Sequence, residues 1–176
     1  VPTEVATTTA QAIKESQSAP GCIASLILPA DAAWQDAGEF KQAPPVPTIS
    51  APRKVSQKAL EHCARIIREE EDVLILLGGK TLREPSLEWA GKLASYCGVG
   101  LMTEFAAART QRGAGRVHVP RMPYVVDVAL AATKRFKHAI LVNTKPPVAF
   151  FAYPNKPSLL LSEECQIHKL AAVPED

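Results

Sequence analysis

The stretch from Asp72 to Lys80 reads DVLILLGGK, in which five consecutive apolar residues are followed by a glycine pair. A continuous apolar run of this length is typical of a strand that is buried on both faces, as in the middle of a parallel sheet. The glycines allow the backbone to turn sharply at the carboxyl end of the strand, where open α/β sheets leave a crevice for ligands. The stretch therefore predicts a buried strand and the place of a binding site.

The pattern on either side of this strand alternates between helix and strand. Ser56 is a predicted N-cap, Pro85 and Pro123 each introduce a further helical pattern, and Gly98 is a natural helix stop. Helices that alternate with buried strands build a doubly wound parallel sheet whose strand ends open on one edge. The predicted strands cover residues 73–77, 100–103, 138–142 and 158–161.

The first third of the chain has a different organisation. A helical pattern from Thr3 to Ser16 precedes a second apolar run, Cys22 to Leu28, which we predict to be another buried strand. Prolines then cluster between Pro44 and Pro52, and proline denies a segment its ladder hydrogen bonds. We therefore predict three parts: residues 1–32 as the tail of a preceding domain, 33–52 as an extended linker without helix or strand, and 53–176 as an α/β domain.

The composition limits the classes of function that this chain can have. The 176 residues are 47% hydrophobic, and the net charge of +2, from 20 basic and 18 acidic residues, argues against nucleic acid or a membrane surface as the main partner. The four cysteines stand singly, without a CxxC pair or a histidine at zinc-site spacing. These features predict a cytoplasmic protein with idle thiols in a reduced compartment.

Candidate ligand-binding residues follow the predicted strands. Backbone amides and lysines can hold phosphate at such an edge, and an acid after a late strand can accept from ribose hydroxyls. Neither GxGxxG nor a phosphate-loop motif is present, so a purely structural glycine turn stays an open alternative. The candidates are Gly78, Gly79, Lys80, Asn143, Thr144, Lys145 and Glu163.

Two further sets of residues are considered for chemistry. Four arginines without a neighbouring acid suit a phosphate or a carboxylate-rich surface, with a solvated loop or a salt-bridged domain contact as the alternative. The four histidines lack a nucleophile and an orienting acid beside them, so we find no self-contained catalytic set. The two sets are Arg109, Arg112, Arg116 and Arg121, and His62, His118, His138 and His168.

Four stretches carry a resemblance to a known family. GCIASLILPAD (21–31) resembles the closing strand of the pyrimidine-binding domain of thiamine diphosphate enzymes. VLILLGGK (73–80), RTQRGAGRVHVPRMPYVVD (109–127) and ILVNTKPPVAFFAYPNKPS (140–158) resemble the central domain of the same enzymes, especially acetolactate-synthase-like large subunits. Their order and spacing cover nearly the whole chain.

The resemblance implies a six-stranded parallel central domain between two cofactor-holding domains, in a homo-oligomeric transferase or lyase that acts on a 2-keto acid. Some members hold FAD or an adenine nucleotide there, which would place Gly78, Gly79 and Asn143 to Lys145 at the nucleotide and Glu163 beside a ribose. Where FAD-binding relatives show a glycine-arginine pair, this chain reads Thr-Lys-Pro-Pro after Asn143, which argues against FAD.

The same resemblance implies that the thiamine diphosphate and magnesium sites lie outside this segment. The family's catalytic glutamate belongs to the pyrimidine domain, and its Gly-Asp-Gly motif, absent from this sequence, belongs to the diphosphate domain. A thiamine mechanism needs both, so the segment alone is predicted to be inactive. The alternative is a stand-alone nucleotide-binding module with the sheet topology of NAD-dependent deacylases, against which the scattered cysteines argue.

Overall fold

The computed structural model describes residues 1–39, 43–49, 51–173 and 175. The chain divides into two compact units, which we call unit 1 (Val1–Arg53) and unit 2 (Lys54–Asp176). Unit 1 contains helix α1 (Val5–Gln17), preceded by one 3-10 turn, and the short helix α2 (Ala30–Trp34). No helix in the described ranges is both long and apolar enough to cross a bilayer.

The strand predicted over Cys22 to Leu28 is wrong. This range is irregular, and Ile23 and Ile27 are 95% and 89% exposed. A strand needs a neighbour for its backbone hydrogen bonds. Every strand described in the structure belongs to unit 2, so this run finds no ladder partner within unit 1.

The predicted linker begins with the end of a helix, because α2 reaches Trp34. Beyond it, the described residues of the range, 35–39, 43–49 and 51–52, form neither helix nor strand, as the prolines predict. Phe40, Lys41, Gln42 and Ser50 lie outside the described residues. The assignment of the three parts to particular domains stays a prediction.

Unit 2 contains three longer helices and a four-stranded sheet. Ser56 caps the first helix, since its Oγ accepts a hydrogen bond from the Ala59 amide at 3.2 Å. Gly98 ends the next helix in the left-handed region, with φ of 71°. The elements are α3 (Gln57–Glu69), β1 (Val73–Leu77), α4 (Ser86–Cys97), β2 (Gly100–Thr103), α5 (Val126–Thr133), β3 (His138–Val142) and β4 (Gln166–Ala171).

All four strands are parallel, in the order β2-β1-β3-β4. Strand β1 is fully buried, as predicted, with Leu74 and Leu76 packed on the α5 side and Val73, Ile75 and Leu77 on the side of α3 and α4. Helices therefore cover both faces of the sheet, because alternate side chains of a central strand point to opposite faces. The predicted α/β fold is confirmed.

The strand predicted over residues 158–161 is wrong. Leu159 makes an isolated antiparallel bridge to Val148, and Leu160 and Leu161 are buried as side chains in the core on the α5 face. The fourth strand is β4 (Gln166–Ala171), whose polar, half-exposed sequence is typical of a sheet edge. The described residues thus form four strands, whereas the family resemblance implies six.

Candidate functional site

The carboxyl ends of β1, β2 and β3 lie at the same edge of the sheet. From β1 the chain crosses to β2 on one side, and later elements build β3 and β4 on the other side. The order therefore reverses between β1 and β3, and such a switch point is where open α/β sheets leave a crevice. Gly78 follows β1 and Asn143 follows β3. The sequence therefore correctly predicted that the glycine turn and the Asn-Thr pair lie at the same edge of the sheet.

Gly78 is required by the chain's own packing. A Cβ at this residue would lie 2.6 Å from the Asn143 carbonyl oxygen and 2.8 Å from the Thr144 Cβ. Its amide donates a hydrogen bond to the Val142 carbonyl at 3.0 Å. The backbone after β3 therefore packs directly against Gly78, as a structural glycine turn requires, and a nucleotide at this residue stays a prediction.

Gly79 carries the unusual backbone angle of the pair. Its φ is +52°, whereas Gly78 has an extended φ of −144° that any residue adopts. Gly79 begins a 3-10 turn, Gly79–Leu82, and Thr81 Oγ1 donates to the Gly78 carbonyl at 2.6 Å. The turn is thus closed by its own side chain.

A carboxylate faces this crevice. Thr144 Oγ1 donates to Glu104 Oε2 at 3.0 Å, and Glu104 Oε1 lies 3.1 Å from the position of a Gly78 Cβ. Thr144 is buried and Glu104 is half-buried. A negative charge at this point opposes a phosphate, because like charges in a partly desolvated site repel strongly.

Asn143 holds the C-terminal segment. It is buried, with φ of +52°, and its Nδ2 donates to the carbonyls of Ala172 at 2.9 Å and Glu175 at 3.0 Å. Both amide hydrogens are therefore used within the chain. This arrangement gives Asn143 a structural role.

The two candidate lysines line different clefts. Lys145 lines a cleft of about 330 Å³ together with Glu104, whereas Lys80 lines another cleft of about 200 Å³ with Asn143 and Glu175. Both lysines are exposed. The predicted set is thus split between two clefts.

Glu163 is not at the carboxyl end of a strand, so the expectation that it follows a late strand is wrong. It precedes the first residue of β4, Gln166, whose amide donates to the Lys137 carbonyl just before β3. Because parallel strands begin at the opposite edge from where they end, Glu163 leads into the amino ends of the strands. The shift of the fourth strand from 158–161 to 166–171 is the reason.

The arginine loop is partly paired. Arg116 Nε lies 3.3 Å from Glu84 Oε1, so the expectation of four arginines without an acid partner is wrong for this residue. The backbone beside Arg121 continues the sheet edge, since Thr103 donates to the Pro120 carbonyl at 2.8 Å. The salt-bridged alternative therefore describes part of this loop.

An aromatic cleft at the same edge was missed by the sequence reasoning. The rings of Phe105, Tyr124 and Phe150 lie 5.0 to 6.2 Å apart between centroids, and all three are exposed. Phe151 and Tyr153 extend the ring cluster at 4.8 and 6.1 Å. Exposed aromatic clusters mark binding surfaces in soluble proteins. The signal was the FFAY segment (150–153) in a loop without helix or strand period.

The cysteines and potential metal ligands offer no second site in the described part of the chain. Cys63 and Cys165 are buried, and burial raises the pKa of both thiols, which keeps them protonated. Cys22 and Cys97 are exposed and unbonded to each other. Among the described residues, no group of histidine, cysteine and acid side chains is arranged to hold a metal ion.

Comparisons with known proteins define the relationships of this chain. It is 35% identical over 149 residues to a Mycobacterium tuberculosis (strain ATCC 25618 / H37Rv) protein assigned as an acetolactate synthase large subunit, IlvX; the match covers 85% of this chain and 28% of that protein. Its structure matches that of a Mycobacterium smegmatis protein assigned as a thiamin diphosphate-dependent enzyme, with a TM-score of 0.69 and 16% identity over 96% of this chain and 31% of that one. No protein-family profile matches the chain.

These matches give the relationships of the chain: in sequence it is similar to a part of an acetolactate synthase large subunit, and it shares the fold of a part of a thiamin diphosphate-dependent enzyme. The resemblance to acetolactate-synthase-like large subunits is confirmed by the sequence match. The structural match, at 16% identity, supports the fold alone. The chain spans less than a third of either relative's length, and neither relative favours the deacylase-like alternative.

Proposed function

We propose that unit 2 is the central domain of a thiamine diphosphate-dependent 2-keto-acid decarboxylase or carboligase, with residues 1–32 as the tail of its pyrimidine-binding domain and 33–52 as the linker. The observation that carries the proposal is the sequence match, which covers 85% of this chain and 28% of an acetolactate-synthase-like relative. A match of this extent fits a segment of a multidomain enzyme. The partners of the segment are then the pyrimidine and diphosphate domains and, in a homo-oligomer, further copies.

The role of this segment in such an enzyme is structural and interdomain. Thiamine diphosphate with magnesium would be held by the other two domains and would supply the nucleophilic carbon for chemistry on a 2-keto acid. The Gly-Asp-Gly motif that holds magnesium in the family is absent from these residues. The aromatic cluster around Phe150, which is 64% exposed, offers an apolar contact surface suited to a neighbouring domain.

The 176-residue chain should neither bind thiamine diphosphate with magnesium nor consume pyruvate. Isothermal titration and a pyruvate-depletion assay measure the two properties. The matched control is the polypeptide encoded by the complete reading frame, which should contain a glutamate upstream and a Gly-Asp-Gly downstream and should bind the cofactor. Saturable cofactor binding by the 176-residue chain, or a complete reading frame without these motifs, would contradict the proposal.

A second candidate function, adenine-nucleotide binding, is favoured by the aromatic cleft. Its volume of about 330 Å³ reaches the lower end of the range for small-molecule sites, roughly 300–1,000 Å³. Tyr124 and Phe150 present rings on which a base can stack. Lys145 lines the same cleft as a phosphate partner and would have to outweigh the repulsion from Glu104, which lines it too. In this candidate function the nucleotide lies away from Gly78 and Lys80, and Lys145 remains a predicted binding residue.

Replacement of Lys145 by alanine should weaken ADP binding about tenfold, because a charge-assisted hydrogen bond contributes roughly 1.5 kcal/mol or more. The measurement is a thermal shift with ADP, FAD and NAD, in which a ligand at 100 times its dissociation constant stabilises the fold by about 2.7 kcal/mol. Lys80→Ala is the matched control, because Lys80 lines the other cleft and should leave binding unchanged. If ADP binding is lost with Lys80→Ala but not with Lys145→Ala, the nucleotide binds at the glycine turn instead. If none of the three ligands shifts the unfolding temperature, this candidate function is wrong.

A further inference from the structure

Three histidines of unit 2 form a continuous hydrogen-bonded chain. His62 Nε2 lies 3.1 Å from His168 Nδ1, and His168 Nε2 lies 3.1 Å from His138 Nδ1. The rings of His138 and His168 are stacked, with centroids 5.4 Å apart, and His62 is tilted against His168 at 5.1 Å. The three residues are separated by up to 106 positions in sequence, so the fold alone brings them together.

The two ends of this histidine chain face opposite charges. An Arg65 guanidinium nitrogen lies 3.5 Å from His62 Nδ1, and Glu70 Oε2 lies 3.5 Å from His138 Nε2. Arg65 and Glu70 belong to α3 and its C-cap, and His168 comes from β4 and His138 from β3. Arg65 and Glu70 contact the ends of the histidine chain, and Glu70, His138 and His62 are the charged or titratable groups that act on the pKa of His168.

One arrangement of hydrogens satisfies every contact when all three rings are neutral. Arg65 donates to His62 Nδ1, so His62 carries its hydrogen on Nε2 and donates to His168 Nδ1. His168 then donates from Nε2 to His138 Nδ1, and the Nε2–H of His138 faces Glu70 Oε2 at 3.5 Å. The charges at the two ends therefore select the Nε2–H tautomer in all three histidines.

A first added proton can be accommodated with both ring-to-ring bonds kept. Added to His62 Nδ1, it costs only the 3.5 Å contact with Arg65. Added to His138 Nδ1, it reverses the donor direction of both ring-to-ring bonds, and His62 again presents an Nδ1–H to Arg65. A second proton forces two N–H groups to face each other across a 3.1 Å contact, which breaks one ring-to-ring bond.

We propose that His62, His168 and His138 form a pH-sensitive latch that fastens helix α3 to the edge strand β4, closed at neutral pH and released on acidification. The observation that carries this proposal is the unbroken chain of contacts from Arg65 to Glu70. Strand β4 is at the edge of the sheet and pairs with β3 alone within the described residues, and α3 packs against it through Ile66, Ile67 and Leu170 as well as through the histidines. Release exposes the face of β4 that α3 covers.

The effect of burial on the pKa of His168 agrees with release of the latch on acidification. Desolvation, with smaller contributions from His138 and His62, lowers the pKa of His168, and Glu70 opposes the shift. A histidine whose folded pKa is below its unfolded value adds stability above the unfolded pKa, and this stability is lost as the pH falls through the folded pKa. The latch should therefore be closed above about pH 6.5, the unfolded value, and weaken below it.

Nitrogen-15 NMR of the histidine rings in the 176-residue chain tests the mechanism directly. At pH 8, His62, His138 and His168 should all be neutral Nε2–H tautomers. On acidification, a second cationic ring should appear together with a change in the amide shifts of α3 and β4, because one ring-to-ring bond is then lost. Protonation of two or more of the three rings with unchanged amide shifts in α3 and β4 would overturn the proposal.

A stability measurement provides the second test. Between pH 6.5 and 5, the folded-to-unfolded ratio of unit 2 should fall by up to about tenfold per pH unit for each additional proton taken up on unfolding. His168→Phe keeps a ring for stacking but removes both nitrogens, so it should flatten this dependence; His118→Phe in the loop is the matched control and should not change it. Equal pH dependence in the wild type and His168→Phe would overturn the latch. If His168→Phe does not fold, the ring and amide shifts of the unaltered chain decide.

Discussion

Replacement of Gly78 by valine is expected to lower the free energy of unfolding of unit 2 by about 3 kcal/mol, the upper part of the range for overpacked sites. The reason is steric: the first side-chain carbon would lie 2.6 Å from the Asn143 carbonyl oxygen, a backbone atom that cannot move without disturbing β3. A β-branched residue adds further atoms to the same space. Hydrogen exchange of the β1 amides, which are in the central strand, measures the loss.

Gly113→Val is the matched control for this substitution. Gly113 has φ of +91° and no heavy atom within 4 Å of an added Cβ, so valine there meets backbone strain without a steric clash. We expect a cost of about 1 kcal/mol in the loop. Equal effects of the two substitutions would show that Gly78 is not confined by its neighbours. Because the cost is in folding, it should be present without any nucleotide.

Replacement of Asn143 by alanine is expected to destabilise unit 2 by about 3 kcal/mol, the second large effect. Alanine keeps the left-handed backbone, which costs about 1 kcal/mol, and leaves the carbonyls of Ala172 and Glu175 without their donor, at about 1 kcal/mol each. The C-terminal segment should also exchange its amides faster. Urea unfolding followed by circular dichroism, together with hydrogen exchange, measures both effects.

Asn155→Ala separates the two contributions. Asn155 has φ of 59° and is exposed, so its replacement removes a favourable left-handed residue without breaking a buried hydrogen bond. We expect about 1 kcal/mol there. Asn143→Gly relieves the backbone strain and should therefore recover about a third of the loss. A cost for Asn143→Ala no larger than for Asn155→Ala would show that the two carbonyl contacts contribute nothing.

Residues at the end of a buried strand combine packing and chemical possibilities that sequence cannot separate. Gly78, Gly79, Asn143 and Thr144 were predicted to line a nucleotide cleft, and the structure places them together at the switch point. Their polar groups are used by the chain itself, because Asn143 holds the C-terminal segment and Thr144 donates to Glu104. The strand pattern predicted where these residues lie, but it did not predict whether a ligand or the chain itself uses their polar groups.

The errors in the fold have physical causes. Leu159 to Leu161 have the apolar run of a buried strand, but Leu160 contributes its side chain to the core while its backbone bonds to Pro147 and Thr133. The true fourth strand, β4, is at an edge and has mostly polar or exposed positions, so hydrophobicity does not reveal it. An apolar run indicates that a segment is buried, but both strands and irregular segments of the core are buried.

The sequence by itself determined the α/β class, the central strand β1, the caps at Ser56 and Gly98, and the resemblance to acetolactate synthase large subunits. These depend on local periodicity, capping chemistry and the order of short motifs. Only the tertiary structure decided the aromatic cleft and the histidine chain. The residues of each are far apart in sequence and meet through strand pairing and helix packing. Such contacts have no periodic signature, since the separation of two residues along a chain does not fix their distance once a sheet is assembled.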